Sequence, residues 1–114
     1  MMISPQFPYL PVEVHLEGRV LRDSAALVDT GFDGDISIPT LESIGMQPVG
    51  REWLILATGR EDYAFVFNGN VRLGDFNLLP ARILAAGDQY VIGTGILRHY
   101  EVILDHGQRV IVNP

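Results

Sequence analysis

The chain is a succession of short runs, apolar at every second residue or apolar throughout, each soon cut off by Gly, Pro, Asp or Asn. Such a pattern predicts many short strands and leaves little room for helix. Val12, Val14 and Leu16 alternate with Glu13, His15 and Glu17, which predicts a strand with one buried face. "EGR" at 17–19 and "RDS" at 22–24 read as punctuation, and "AALV" at 25–28 as an interior strand. "DISIP" alternates Ile36 and Ile38 and stops at Pro39. "EWLILA" at 52–57 and "YAFVF" at 63–67 flank "TGRED" as a long hairpin, and "NGN" at 68–70 reads as a further turn. "LPARILAA" at 79–86, "QYVIG" at 89–93, the later part of "ILRHYEVILD" and "RVIV" at 109–112 complete the strands, with "DHG" at 105–107 as a turn. The clearest helical segment is "PTLESIG" at 39–45, where Leu41 and Ile44 share a face and Gly45 supplies a stop. "ILRHYEVILD" opens with a possible turn of helix. The expected fold is all-β, a small closed antiparallel barrel with one short helix.

With 114 residues there is room for one domain. Pro5, Pro8 and Pro11 mark residues 1–11 as an extended N-terminal arm, because proline donates nothing to a strand ladder; residues 12–114 form the domain. Hydrophobic residues at 47% and charged residues at 19% describe a globular chain, and a mean hydropathy of +0.19 hints at apolar surface kept for a partner. A net charge of −6 with scattered Lys and Arg argues against nucleic acid and anionic membranes as partners. The absence of cysteine excludes disulfides, zinc–thiolate sites and cysteine nucleophiles. "MMISPQFPYLPV" lacks the basic and apolar regions of a signal peptide, and no apolar run approaches the ~20 residues that span a bilayer, so the expected location is cytoplasmic.

The candidate chemistry narrows quickly. His15, His99 and His106 do not show the spacing of a metal site, which needs at least three converging ligands, so no metal is expected. Ser24, Ser37 and Ser43 lie in no nucleophile-elbow motif, and no glycine-rich phosphate loop precedes a long helix. Asp29 differs, because it follows "AALV", a run expected to be buried. Thr30 then offers a hydroxyl for local hydrogen bonds, and Gly31 allows close backbone approach. Taken alone, the tripeptide reads as an ordinary turn, because so short a match is common by chance. Its context, between two strands of an all-β chain of this size, favours a carboxylate placed for chemistry.

At these residues the sequence resembles the retropepsin-like aspartic proteases of clan AA, and is similar to their small bacterial single-domain members. The resemblance runs from Val12 almost to the end. It comprises "ALVDTGFDG" with "ISIPTLESIGM" after it, "LATGRED" at the place of the flap hairpin, and "YVIGTGILRHYEVILD" at the place of the second, glycine-containing motif. It implies a peptide or protein substrate, no cofactor, and catalysis by two aspartates. Asp75, Asp88 and Asp105 are not followed by Thr-Gly or Ser-Gly, so the chain has one such motif. The resemblance therefore implies a symmetric homodimer with one Asp29 from each subunit. By the same similarity Thr30 hydrogen-bonds across the dimer interface, Gly31 brings its carbonyl to the substrate backbone and Asp33 binds the peptide main chain. Phe32 borders the substrate, while Thr58, Gly59 and Arg60 form the flap tip. Phe32, Ile36, Trp53 and Ile96 are expected pocket walls by position.

Several departures from the family pattern stand out. Where retroviral members carry an Arg that pairs with the aspartate at the Asp33 position, this chain has Thr94. Where Asp or Asn often follows, it has Gly95, which removes a side-chain hydrogen bond. The flap carries one glycine and the charged run "RED". The proline-studded arm is a poor terminal interface strand, and "RVIV" at 109–112 a better one. The alternative function is a dimerisation or peptide-binding module of the same fold with little or no proteolysis.

Overall fold

The computed structural model describes residues 1–55 and 58–114. Among the described residues there are ten strands: β1 (Met2–Ser4), β2 (Tyr9–Leu16), β3 (Arg19–Val28), β4 (Ile36–Ile38), β5 (Gly50–Ile55), β6 (Glu61–Leu73), β7 (Leu79–Ala85), β8 (Val91–Ile92), β9 (Glu101–Asp105) and β10 (Arg109–Asn113). A 3-10 turn covers Thr40–Ser43, and one turn of helix, α1, covers Thr94–Leu97. The expected helix at 39–45 is thus a 3-10 turn, and the α-helical turn lies at the start of the later segment.

Six strands close a barrel in the order β2-β3-β8-β4-β7-β6 and back to β2, with β5 attached outside β6. Closure leaves no free edge in the ring, which is how small all-β proteins protect their ladders. Four of the neighbouring pairs are antiparallel. The pairs β3–β8 and β4–β7 run parallel, a refinement of the antiparallel expectation.

The barrel interior is filled as the alternation requires. In β2 the residues Leu10, Val12, Val14 and Leu16 are buried and their neighbours are not. Phe67, Ile83 and Ile92 pack with them from the other side of the ring. Ile36 and Ile96, expected as pocket walls, are buried at 0% and 1% exposure and belong to the core instead. Ile36 belongs to β4 and Ile96 to α1, and both side chains join the same apolar cluster.

Two expected breaks are not breaks. "RDS" lies inside β3, where the register slips between Leu10 and Val12 opposite it. Pro11 donates nothing to the ladder there, and the Ala25 N–H bonds Asp23 Oδ1 at 2.7 Å instead. "NGN" lies inside β6, which runs straight through it. A Cβ at Gly69 would stand 2.3 Å from the His15 carbonyl oxygen, so this glycine serves close strand approach and not a turn.

The first eleven residues are more structured than an extended arm. Met2–Ser4 pairs with Val110–Val112 of the same chain, and β2 already begins at Tyr9. With β9 they make a second sheet in the order β1-β10-β9. The terminal strands therefore satisfy each other within one chain. The hairpin expected around "TGRED" is present as β5 and β6, paired from Gly50↔Val66 to Ile55↔Glu61. The expected strand end at Leu56 and Ala57 lies outside the described residues.

Candidate active site

Asp29 stands immediately after β3, the strand that "AALV" completes. Its N–H donates to the Ile92 carbonyl at 3.0 Å, continuing the parallel pairing with β8 by one residue. The chain then turns: the Phe32 N–H donates to the Asp29 carbonyl at 3.2 Å, and the Gly31 N–H to Asp29 Oδ1 at 2.9 Å. Asp and Gly suit this turn because the aspartate side chain accepts from the backbone two residues on. One lone-pair region of the carboxylate is thereby tied to the loop, and among the described residues no hydrogen bond reaches Oδ2.

The loop is zipped to the second glycine-containing segment. Thr94 N–H donates to the Phe32 carbonyl at 2.9 Å, Gly95 N–H to the Gly34 carbonyl at 3.0 Å, and Gly93 N–H to the Asp35 carbonyl at 2.9 Å. The glycines are what permit this approach. A Cβ at Gly93 would stand 2.1 Å from the Gly34 oxygen, and one at Gly95 2.0 Å from Asp35 Oδ1. The two motifs are adjacent in space because a side chain at either position would push them apart. Tyr90, which leads into β8, is buried in the core, and burial pushes its phenol up to about 12, so it stays neutral.

An open cleft of about 980 Å³ lies between this loop and the β5–β6 hairpin. Asp29, Gly31, Phe32, Asp33 and Thr58 all line it. Thr30 does not: it borders a smaller hollow with Leu97, Arg98 and Leu104 on the neighbouring face. Gly59 and Arg60, expected at the flap tip, are exposed at the turn and are not among the described residues that line the cleft. Gly59 adopts a φ of +84°, the left-handed conformation glycine supplies, and the Arg60 N–H approaches Thr58 Oγ1 at 3.4 Å. Trp53, expected as a wall, does line the cleft and stacks edge-on with Tyr63, ring centroids 4.4 Å apart. Phe32 packs with Leu54 against Ala64, Val66, Leu84 and Ala86, joining the loop to the root of the hairpin.

Residues that sequence reasoning passed over also face the cleft. Glu52 of β5 and Arg82 of β7 form an ion pair there, and Asp35 and Asp88 add two carboxylates. The lining thus carries five acidic side chains and one basic one. Asp35 reads in sequence as a plain turn or strand-start acid, yet its Oδ2 accepts the Arg82 N–H at 2.8 Å. Only the parallel pairing of β4 with β7 brings residues 35 and 82 together, and no local pattern announces that pairing. At the place of the missing Arg, Thr94 Oγ1 lies 3.4 Å from the Phe32 carbonyl. Among the described residues no side chain hydrogen-bonds the Asp33 carboxylate, which is exposed.

No protein family model and no curated protein sequence matches the chain. Solved structures do. A retropepsin-like aspartic protease from Rickettsia conorii is similar over 98% of this chain and 89% of its own, with a TM-score of 0.58 and 15% identity. The protease of simian foamy virus is similar over 77% of this chain and 91% of its own, with a TM-score of 0.51 and 18% identity. Among the described residues no helix is long and apolar enough to cross a membrane. The barrel, the loop after β3 and the cleft beneath the hairpin together give this chain the fold of the retropepsin-like aspartic proteases.

Proposed function

We propose that the chain is an aspartic endopeptidase that works as a symmetric homodimer, with one Asp29 from each subunit. One observation carries the reading. Asp29 directly follows an interior strand, on a loop held by backbone hydrogen bonds to Gly93–Gly95, and lines an open cleft of about 980 Å³. Two carboxylates brought together at the two-fold axis, roughly 3 Å apart, share one proton and titrate as a pair. The ionised member takes a proton from water, which attacks the scissile carbonyl, and the protonated member gives its proton to the developing oxygen. Thr30, on the face beside the cleft, meets its counterpart across the axis. Gly31 and Asp33 hold the peptide main chain, Phe32 and Trp53 border its side chains, and the turn at Thr58, Gly59 and Arg60 covers it and excludes water. No cofactor takes part. A cysteine-free chain suits the cytoplasm.

A second reading, a peptide-binding or dimerisation module without proteolysis, draws support from Thr94 and from the exposed Asp33 carboxylate. Cleavage of a peptide library at mildly acidic pH, comparing wild type with Asp29→Asn, separates the two. Cleavage lost in the variant supports the peptidase; equal behaviour of the two proteins sinks it.

A further inference from the structure

Asp35 lies at the point where three segments meet: the loop carrying Asp29, the Gly93–Gly95 segment and β7. The parallel ladder between β4 and β7 begins at Ile36↔Ile83. One residue earlier, where the backbone no longer pairs, the Asp35 side chain continues that ladder. Its Oδ2 accepts the Arg82 N–H at 2.8 Å, in the role a carbonyl plays further along. Its other oxygen occupies the room beside Gly95 that any larger residue there would claim, a Cβ at that position standing 2.0 Å away. Its own carbonyl accepts the Gly93 N–H at 2.9 Å. Arg82 in turn gives its guanidinium to Glu52 on the hairpin strand.

From this geometry we infer that Asp35 is a positioning residue for Asp29, coupled to Gly95. Its carboxylate fills the space a side chain at 95 would occupy and anchors the far end of the loop to β7. The loop from Asp29 to Asp35 is fastened at its start to Ile92, along its length to residues 93–95, and at its end to Arg82 through Asp35. Without that last fastening the loop keeps its backbone zipper and loses its tie to the wall that faces the hairpin. The inference rests on the peptidase reading for its kinetic consequence but not for its structural one. The Gly31 N–H, which donates to Asp29 Oδ1, reports on the loop independently of any cleavage.

The test uses the full chain with Asp35→Ala, Asp35→Asn, Gly95→Ala and the double variant Asp35→Ala/Gly95→Ala. In Asp35→Ala the Gly31 amide exchanges with solvent at least about tenfold faster while amides in β2 and β6 are unchanged, because a local opening has become easier. Where a peptide is cleaved in an Asp29-dependent way, kcat falls about 10- to 100-fold with KM within about threefold, the signature of a displaced reacting group. Asp35→Asn keeps an oxygen that accepts the Arg82 N–H and restores both readouts to near wild type. Gly95→Ala alone is more damaging than in the Asp35→Ala background, because the contact at Oδ1 is gone there, and this non-additivity measures the coupling. An unchanged Gly31 exchange rate in Asp35→Ala overturns the inference, and so does strict additivity of the two substitutions. If no peptide is cleaved while Gly31 responds as stated, the peptidase reading fails and the positioning role stands.

Discussion

Glu13 and Asp29 are carboxylates on the same barrel, in surroundings of opposite kind. On the outer wall, Glu13 of β2 is met by Arg72 at 2.8 Å, Arg22 at 3.1 Å and His15 at 3.3 Å. These partners are its cross-strand neighbours in β6 and β3 and its own i+2 neighbour. At the barrel mouth, Asp29 receives one backbone N–H, and among the described residues no cation stands in ion-pair contact with it. The Arg72 hydrogen bond above all, with His15 and Arg22, holds Glu13 below the usual carboxylate range. The wall sets its cations against one carboxylate; at the mouth, among the described residues, the carboxylate meets none. Acid–base chemistry needs the second arrangement and cannot use the first.

The largest test of this contrast is Asp29→Asn. It removes the proton-exchanging oxygen while keeping an acceptor for Gly31, so peptide cleavage drops on the order of 10³-fold, the range for losing a general acid or base. The thermal midpoint stays close to wild type, as calorimetry checks. A variant as active as wild type would make Asp29 a turn residue like any other.

Next comes Gly93→Ala, which attacks the zipper beside the site and not the carboxylate. The new methyl meets the Gly34 carbonyl oxygen at 2.1 Å, a backbone contact that moving the nearby Phe32 ring does not relieve, so destabilisation of about 2–3 kcal/mol follows by the usual cost of overpacking. Urea unfolding reads it. The same exchange at Gly50, which has open space and ordinary φ, costs under about 0.5 kcal/mol, the range of a neutral surface change.

The wall offers a pH test. Because Glu13 has a folded pKa below its unfolded value, its contribution to stability is present above pH 4.5 and is lost as pH falls through the depressed folded value. Asp105 follows the same sign, held down first by the Arg109 hydrogen bond and then by that of His106. Thermal midpoints measured from pH 6 down to pH 3 therefore fall, and Glu13→Gln makes the fall shallower while leaving cleavage at mildly acidic pH near wild type. A slope identical to wild type would mean that Glu13 is titrating as an exposed acid. Smallest is Trp53→Ala, in which a half-exposed cleft wall is trimmed: KM rises a few-fold and stability moves by less than about 1 kcal/mol.

The difference between what was legible in the sequence and what was not follows the range of the interactions. Alternation at Val12, Val14 and Leu16 is local, and the buried face of β2 appears where that alternation puts it. Asp29, Thr30 and Gly31 were legible as a turn after an apolar strand. The barrel's closure, the parallel partners of β3 and β4, and the Asp35–Arg82 and Glu52–Arg82 contacts join residues far apart in the chain, and composition carries no trace of them. "NGN" misled for a related reason: glycine serves tight turns and close strand crossings alike, and only the position of His15 decides. Ile36 and Ile96 misled because an apolar residue near a cleft motif fits wall and core equally well.

The long strand β6 has a consequence for how the molecule comes into being. Its first half pairs with residues 50–55, its middle with 79–85 and its end with 12–15. One strand thus gathers partners from both directions along the chain, and no stretch of consecutive residues can close the ring by itself. Loop-closure entropy must be met before most of the ladder repays it, so refolding belongs to the slow class of all-β domains, on the order of milliseconds to seconds. During synthesis the ring cannot shut until β8, ending at Ile92, has left the ribosome, and strand edges still without partners are the surfaces exposed to misassociation until then.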